Sequence, residues 1–482
     1  MKKLLDYIPF LILGVLYTLL PTQNANIDSW FYAACIKYNA HLFNSHHLLY
    51  NILGNIWHDF MCLFYSKTDA ISSLNLLNAI SATIALMVFY KLLLRFGQNK
   101  KSAHFFSLTV GVCFGFIRFA TDAETYILPV LFSILSTYFY FKPIRYLNIA
   151  FSALFAMLAV CTHQLHIWWT LAIYINVLAN NEYSKNKKIF YSLVLFSGVI
   201  LYYLVYFFNF NNLTFLNFIL GEYQKGNAGI DFSLKALALT LINVFRTVFQ
   251  VHGFLYHFAL KYSLLSFIII TIEFILIYLL VIKRKLLFTV KSIPGKSFPR
   301  QLFLIAIILH LFFAFISSGN AEFMAMLPFL FVAYITVAYN FQCNKNAFLI
   351  PVVIFIWNIY FGLIPLRFEN INKITTQVNY TRTLKNDYFL WSNKPLIENQ
   401  LTYETGFYKQ YNFTTLDSIN VLLKEGKIVY TDLSNTKTAF SRESMLNSDL
   451  KTRAIDRCAL VKVDSFENLY GKNYIYKITS IK

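Results

Sequence analysis

Long apolar runs alternate with short polar segments over the first 364 residues of the chain. A helix needs about 20 apolar residues to cross the hydrocarbon layer of a membrane, and these runs are that long or somewhat shorter. The pattern therefore predicts eleven membrane-spanning helices. They cover residues 7–20, 71–94, 105–120, 125–141, 147–161, 165–178, 189–208, 262–282, 301–317, 322–341 and 347–364.

Basic and acidic residues gather on opposite sides of these predicted helices. Placing the N-terminus in the cytoplasm puts 18 basic residues in the inner loops and 7 elsewhere in this region, and it puts eight of its eleven acids outside. Basic residues are enriched in cytoplasmic loops, so the charge pattern favours this orientation. We expect a multi-pass protein of the bacterial inner membrane.

The segment 234–260 is apolar enough to be a further span. Counting it as one would place Lys283, Arg284 and Lys285 outside and would invert every later loop. The charge pattern therefore favours an interfacial or re-entrant helix in a long external loop.

The composition changes abruptly after Pro365, where the chain becomes polar. A helix-like stretch at 415–425 precedes strand-like runs at 427–430, 458–463 and 473–479. Together these patterns predict an all-α polytopic membrane protein of about eleven transmembrane helices with a small C-terminal α/β domain outside the membrane. The two domains cover residues 1–364, with a long external loop at 21–69, and residues 365–482.

The composition excludes several classes of protein. Only 13% of the residues are charged, against about 25% in soluble domains. The net charge of +19 comes with bases concentrated in the inner loops, so we expect no nucleic-acid partner. The sequence has no Walker A motif, Rossmann glycine fingerprint or HExxH motif, which argues against nucleotide-driven transport and zinc-dependent proteolysis.

The first external loop carries the leading catalytic candidate. Asp28 directly follows the first predicted span, and His46, His47 and Tyr50 lie further along the same loop. Charged groups beside a bilayer are usually either solvated or functional. Asp28 could instead cap a helix N-terminus, and the two histidines could simply pack at the interface.

The second external loop is very short and contains Asp122, Glu124 and Tyr126. Two carboxylates at this spacing could position a substrate or bind a divalent metal ion through oxygen ligands. They could also complement the dipole of the helix that follows.

His163 and His166 stand in the third external turn, and Glu322 follows the ninth predicted span. Histidines beside tryptophans at a membrane edge often belong to an aromatic belt. Here they share the predicted outer face with Asp28, which makes substrate contacts the competing interpretation.

Arg118 and Arg246 are the cations on the outer side best suited to bind a lipid phosphate, because the guanidinium group binds phosphate in a bidentate manner. Glu273 lies in the middle of the eighth predicted span, where an unpaired charge is costly. The sequence assigns it no role.

These motifs, in this order, resemble the GT-C superfamily of membrane glycosyltransferases, in particular protein O-mannosyltransferase-like and lipid A aminoarabinose transferase-like proteins of bacteria. The acid that those enzymes carry after the first span matches Asp28, and their Glu-x-Tyr before the fourth span matches Glu124 and Tyr126. A histidine that opens their sixth span matches His163. Their His-Pro-Leu-Tyr segment reads His-Leu-Leu-Tyr at 47–50, and the basic residue usual before a late span is missing near Glu322.

The resemblance implies a polyprenyl-phosphate sugar as donor and transfer outside the cytoplasm to a lipid, glycan or protein acceptor. On this basis we expect Asp28 to act as the general base of an inverting displacement. Glu124 and Asp122 would orient the acceptor or hold a cation, while Arg118 or Arg246 would offset the phosphate charge. An apolar groove between spans would hold the prenyl tail.

Two other functions stay open at this point. A polysaccharide polymerase or ligase of the cell envelope would use Arg246 and His252 in the long external loop. A lipid-linked glycan flippase or transporter commonly shows repeats and Gly- or Pro-broken helices, whereas this chain has 16 Gly, 10 Pro and no visible repeat. An inactive protein that keeps the fold is a third alternative.

Overall fold

The computed structural model describes residues 2–210, 212–224, 230–251, 253–284, 287–292, 297–371, 374–383, 388–391, 394–407, 412, 414–431 and 457–481. In chain order, the helices are α1 Lys2–Leu5, α2 Ile8–Leu19, α3 Ile27–Lys37, α4 Tyr50–Phe64, α5 Ala70–Arg95, α6 Lys100–Gly111, α7 Phe114–Ala120, α8 Ile127–Tyr140, α9 Tyr146–Thr162, α10 Ile167–Ala179, α11 Lys185–Asn209, α12 Phe215–Gln224, α13 Leu234–Val248, α14 Phe254–Lys261, α15 Ser263–Lys283, α16 Ser297–Ile316, α17 Leu327–Ala338, α18 Leu349–Asn358, α19 Ile364–Phe368, α20 Ile374–Thr383, α21 Lys394–Thr405 and α22 Leu416–Lys424. The strands are β1 Phe288–Ser292, β2 Tyr339–Cys343, β3 Tyr388–Trp391, β4 Ile428–Thr431, β5 Cys458–Asn468 and β6 Gly471–Ile481.

Two compact units make up the chain. The first unit contains Met1–Pro21, His41–Val251 and Leu264–Leu363, and the second contains Thr22–Ala40, His252–Ser263 and Ile364–Lys482. Two segments that the sequence pattern assigns to the membrane domain therefore belong to the same unit as the C-terminal residues.

The apolar helices make this a multi-pass membrane protein. Every one of the eleven predicted segments contains a helix, and five helices in the described part of the chain are long and apolar enough to cross a membrane. A bent pair, α6 with α7, raises that number to six, and four shorter apolar helices accompany them. The expected count of eleven spans stays a prediction.

The third predicted span is broken into α6 and α7, which meet at 69°. The break frees the carbonyl of Val112, which accepts a hydrogen bond of 2.8 Å from the Asn358 side chain. Asn358 also donates to the carbonyl of Val248 at 2.7 Å and accepts from the amide of Gln250 at 2.8 Å. This buried asparagine thus satisfies backbone groups at the break and at the end of α13, as an apolar interior requires.

The tenth predicted span, 322–341, ends earlier than its apolar pattern suggests. Helix α17 stops at Ala338, and the following residues form β2, which pairs antiparallel with β1. The side chain of Gln98 donates to the carbonyls of Thr336 and Tyr339, at 2.8 and 2.6 Å. Pairing with a distant strand overrides the local helical preference here.

The segment 234–260 forms α13 and α14, and neither helix is among the described spans. Helix α13 packs on α7 and α16 within the first unit. Its interfacial position in the membrane stays a prediction.

The second unit is built on a mixed four-stranded sheet with the order β3-β4-β6-β5. Its core contains Trp391, Ile419, Val429, Cys458 and Ile478. Helix α3 joins this unit by packing along α21. The side chain of Asn24, just before α3, donates to the carbonyls of Leu366 and Glu369, both at 2.8 Å.

Candidate functional site

The turn between α7 and α8 buries two carboxylates. Asp122 and Glu124 are each only 2% exposed. The amide group of Asn78 donates to both of their backbone carbonyls at 2.7 Å, and the Tyr50 hydroxyl donates to the carbonyl of Glu124 at 3.1 Å. A buried turn needs such partners because its backbone polar groups cannot reach water.

The two carboxylates act electrostatically on Tyr50. Burial raises the pKa of the Tyr50 hydroxyl, and the charges of Glu124 and Asp122 raise it further. The hydroxyl therefore stays protonated and serves as a donor. The hydroxyl lies within electrostatic range of both acids. The segment 47–50 and the acidic turn are therefore close to each other.

The expected metal ion finds limited support. One carboxylate oxygen of Asp122 accepts the Ala123 amide at 2.8 Å. Among the residues that the structure describes, no group of three His, Cys, Asp or Glu side chains could hold a metal ion. Asp122 and Glu124 alone do not complete a cation site.

Histidines from two external turns meet beside this acidic turn. The ring centroids of His47 and His163 are 4.4 Å apart, and those of His163 and Tyr126 are 5.1 Å apart. The side chain of Gln164 donates to the carbonyl of Ser45 at 2.8 Å, which ties the two turns together.

The buried histidines are held in the neutral form. Burial, with His46 nearby, lowers the pKa of His47 to about 3. Burial and the neighbouring imidazoles lower the pKa of His163 well below its usual value. A neutral imidazole offers one donor and one acceptor, which suits hydrogen bonding to hydroxyl groups.

Tyr126 connects the histidines to Glu322. Its hydroxyl donates to a carboxylate oxygen of Glu322 at 3.1 Å. The backbone of the turn before Glu322 is fixed as well, since Asn320 accepts the Glu322 amide at 3.0 Å and Asn243 of α13 donates to the carbonyl of Gly319 at 2.6 Å.

Arg246 lies within electrostatic range of both Arg118 and Glu322. Burial and the Arg118 charge lower the pKa of Arg246 to about 10, while the Glu322 charge acts in the opposite direction. Helix α13 approaches α7 closely at Gly115, where a Cβ atom would lie 3.3 Å from Cα of Thr247. The Nε atom of Arg118 is buried and has no hydrogen-bond partner among the described residues.

Two arginine charges and one carboxylate charge in this region leave a net positive charge. Guanidinium groups in this arrangement bind phosphate oxygens well. The geometry therefore fits an anion near Arg118, Arg246 and Glu322.

An apolar cavity of about 730 Å³ is lined in part by residues next to two of the external turns. Its lining includes Met157, Leu171, Leu195, Val199, Ile219 and Phe313. Polar residues of the lining include Gln164 and Ser317. Gln164 directly follows His163, and Ser317 lies in the segment that leads to Glu322.

Asp28 belongs to the second unit. It is exposed in the first turn of α3, and Asn26 occupies the N-cap position of that helix. Asp28 therefore lies in the first turn of α3 and not at its N-cap position.

The structure brings together most of the predicted site residues within the first unit. These are His46, His47, Tyr50, Arg118, Asp122, Glu124, Tyr126, His163, His166, Arg246 and Glu322. His252, which the polymerase alternative needs, lies outside the described residues.

Sequence reasoning missed two members of this cluster. His310 of α16 is fully buried with its ring 6.3 Å from that of His166, and Asn78 of α5 holds the acidic turn. Both are polar residues inside apolar spans, a signal that commonly marks function or packing between helices. Their partners could not be identified from sequence.

The sequence matches no family model and no curated protein. Several solved structures match this chain. The S. cerevisiae protein O-mannosyltransferase Pmt1-Pmt2 complex bound to the sugar donor is 11% identical with a TM-score of 0.35, and the match covers 44% of this chain and 34% of that one. ArnT from Cupriavidus metallidurans in the apo state is 10% identical with a TM-score of 0.48, over 99% of this chain and 97% of that one. The Archaeoglobus fulgidus oligosaccharyltransferase in complex with Zn and sulfate is 12% identical with a TM-score of 0.44, over 96% and 72% of the two chains.

Proposed function

We propose that this protein is an integral membrane glycosyltransferase. It transfers a sugar from a polyprenyl-phosphate donor to an acceptor outside the cytoplasm, with inversion at the anomeric carbon. The acceptor is a lipid, a glycan or a protein. One observation carries the proposal: the lining of an apolar cavity includes Gln164, which directly follows His163, and Ser317, which lies in the segment that leads to Glu322.

The donor has two chemically different parts, and the first unit offers a site for each. The prenyl chain would occupy the cavity of about 730 Å³, because burial of apolar surface is favourable. The phosphate would bind Arg118 and Arg246, where a bidentate guanidinium contact offsets its charge. Glu322 would hold Arg246 in place, and Tyr126 in turn binds Glu322.

The sugar would contact histidines of the external turns. His46, His47, His163 and His166, with Tyr50, are the proposed hydrogen-bonding partners of sugar hydroxyl groups. Glu124 and Asp122 would orient the acceptor. Because the described residues do not complete a cation site, the mechanism has no step through a metal ion.

Asp28 is the proposed general base. The acceptor oxygen attacks the anomeric carbon, and its proton passes to the Asp28 carboxylate. The bond between the anomeric carbon and the phosphate oxygen breaks, and polyprenyl phosphate leaves with the electron pair. Nearby arginine charge stabilises this leaving group.

Donor binding tests the proposal. Gly198 of α11 lines the cavity, and a Cβ atom there would lie 2.7 Å from Cγ of Met157. We expect Gly198→Phe to fill the cavity and to weaken binding of radiolabelled polyprenyl phosphate in nanodiscs by about tenfold or more, a change of about 1.4 kcal/mol.

Ile200→Phe is the matched control, because Ile200 lies on the same helix with 62% of its surface exposed. It should bind polyprenyl phosphate as the wild type does. Arg246→Ala should weaken binding of polyprenyl phosphate but leave binding of the uncharged polyprenol unchanged. Equal affinity of the Gly198→Phe and Ile200→Phe proteins, with equal melting temperatures, would refute the proposed binding mode.

A further inference from the structure

Helix α15 makes little contact with the rest of the first unit. It buries only Ser266 and Glu273, and it is the least buried of the five long apolar helices in the described part of the chain. Its residues 272–282 include no Gly, Ala, Ser or Thr. Helices that associate within a membrane usually meet at such small residues. The exposed surface of α15 therefore suits lipid chains better than a partner helix.

A second cavity, of about 500 Å³, lies along this helix. Its wall on α15 extends from Ile270 to Leu280, which corresponds to about 15 Å along the helix axis. The facing wall on α18 extends from Ile350 to Trp357. Glu273 belongs to the wall, but both of its carboxylate oxygens are buried, so the surface that the cavity presents is apolar. An elongated apolar space of this kind fits one extended acyl chain.

The cavity is open to the surface that faces lipid. Phe274 and Ile277 line it and are 69% and 45% exposed. On the opposite side it is lined by Val353 and Ile354, which are buried in the protein. A lipid chain can therefore enter sideways from the bilayer, and van der Waals contacts with these residues would hold it.

Basic residues lie next to the end of the cavity that the charge pattern places on the cytoplasmic side. Lys283 is about one turn beyond Leu280 on α15, and the exposed Arg284 follows it. Lys345 is also exposed and shortly precedes Ile350 in the chain. No acidic residue occurs at 274–321 or 323–368, so these segments supply no negative charge. Lys and Arg residues at the inner leaflet attract anionic lipid head groups.

We propose that this cavity binds one acyl chain of an anionic phospholipid from the cytoplasmic leaflet. The phosphate of the head group lies against Lys283, Arg284 and Lys345, and the chain extends between α15 and α18 towards Trp357. The bound lipid adds to the few contacts that α15 makes with the described part of its own chain. This site is separate from the proposed donor site, which uses the other cavity and the outer side of the membrane.

Photolabelling of the full-length protein tests this site in nanodiscs of phosphatidylcholine. The probe is phosphatidylglycerol with a diazirine in the middle of one acyl chain, and peptide mass spectrometry locates the labelled residues. We expect label within residues 270–280 or 350–357. Unlabelled phosphatidylglycerol should prevent labelling at about tenfold lower mole fraction than phosphatidylethanolamine with the same chains, because only the first carries a net negative charge.

Charge-matched variants separate the head-group site from the general charge of the cytoplasmic surface. The combination of Lys283→Gln, Arg284→Gln and Lys345→Gln should abolish the advantage of phosphatidylglycerol. The control removes three exposed bases from other predicted inner loops, with Lys91→Gln, Arg145→Gln and Lys185→Gln. The control protein should keep the tenfold preference, because its three substitutions lie away from α15 and α18.

A second pair of variants tests the cavity itself. Ile277→Trp should fill the cavity and lower the labelling of these residues at least tenfold. Ile275→Trp is its control, since Ile275 is 54% exposed and does not line the cavity. Equal competition by the two lipids, an equal loss of preference in the two charge variants, or unchanged labelling of the Ile277→Trp protein would each overturn the proposal.

Discussion

His163 shows how much the candidate site depends on a single residue. Its ring contacts His47 from one external turn and Tyr126 from another, and its Nδ1 atom accepts the Leu165 amide at 3.1 Å. The sequence identified it as a histidine that opens a span. Its contacts with residues more than 30 positions away could not be predicted, because no local pattern encodes them.

For other residues of the site, too, the sequence indicated the chemistry of the residue but not its contacts. The residue types at Asp122, Glu124 and Arg246 indicated chemistry, and the charge pattern indicated the outer face. The sequence did not predict that Arg246 would lie within electrostatic range of Arg118 and Glu322. That proximity depends on the close approach of α13 to α7 at Gly115.

Stability should fall at acid pH because of the buried histidines. The pKa values of His47 and His163 are both lowered in the folded protein. Below pH 6.5 the histidines of the unfolded chain bind protons that those of the folded protein do not. The contribution of each histidine to the free energy of unfolding is therefore complete above pH 6.5. For His47 it decreases as the pH falls towards about 3. Each such histidine contributes up to about 1.4 kcal/mol per pH unit.

Melting temperatures of the detergent-solubilised protein between pH 7.5 and pH 5 measure this effect. His47→Gln should reduce the pH dependence, whereas His41→Asn, at an exposed position, should leave it unchanged. A melting temperature that stays constant over this range in the wild type would contradict the assignment of neutral histidines.

At the scale of elements, the turn that follows α16 is built around Gly319. Ser318 and Gly319 both have positive φ, 55° and 68°. A Cβ atom on Gly319 would lie 2.7 Å from the backbone nitrogen of Thr240 in α13. The close contact between this turn and α13 brings Glu322 towards Arg246.

We therefore expect Gly319→Ala to destabilise the protein more than Gly97→Ala does. Gly97 also has a positive φ, 95°, but a Cβ atom there would contact nothing within 4 Å. Both substitutions introduce a backbone strain of about 1–2 kcal/mol, and only Gly319→Ala adds a clash of about 1–3 kcal/mol. Equal losses of unfolding free energy in the two variants would contradict the packing described.

The sequence pattern located most elements. Apolar runs identified most helices of the first unit but not α4 or α12, a helix-like stretch identified α22, and alternation identified β4, β5 and β6. It missed β1, β2 and β3, because short strands form through pairing with distant partners. It also missed the break between α6 and α7, which depends on the Asn358 side chain from another part of the chain.

At the scale of the whole molecule, the chain is organised differently from the sequence-based division at residue 364. The second unit includes Thr22–Ala40, which carries Asp28, and His252–Ser263. Side-chain contacts such as Lys37 Nζ to the carbonyl of Tyr403, at 2.8 Å, create this arrangement. Composition cannot reveal it, since these segments lie between apolar spans in the sequence.

The orientation of the chain in the membrane is a prediction that chemical labelling can test. In a Cys62→Ser background the remaining cysteines are buried. A maleimide that cannot cross membranes should label Lys472→Cys in intact cells but should not label Lys185→Cys. Lys472 belongs to the C-terminal part of the chain, predicted to lie outside, whereas Lys185 lies in a predicted inner loop. Both lysines are exposed. The opposite pattern would reverse the proposed topology.

Sugar transfer by the purified protein tests the central claim most directly. A panel of radiolabelled polyprenyl-phosphate sugars is supplied with envelope acceptors, and the transferred label is measured for the wild type, for Asp28→Asn and for Asp59→Asn, an exposed acid of α4. We predict transfer from at least one donor, a rate about 10²–10⁴-fold lower for Asp28→Asn, and an unchanged rate for Asp59→Asn. Transfer from none of the donors, or an Asp28→Asn protein as active as the wild type, would contradict it.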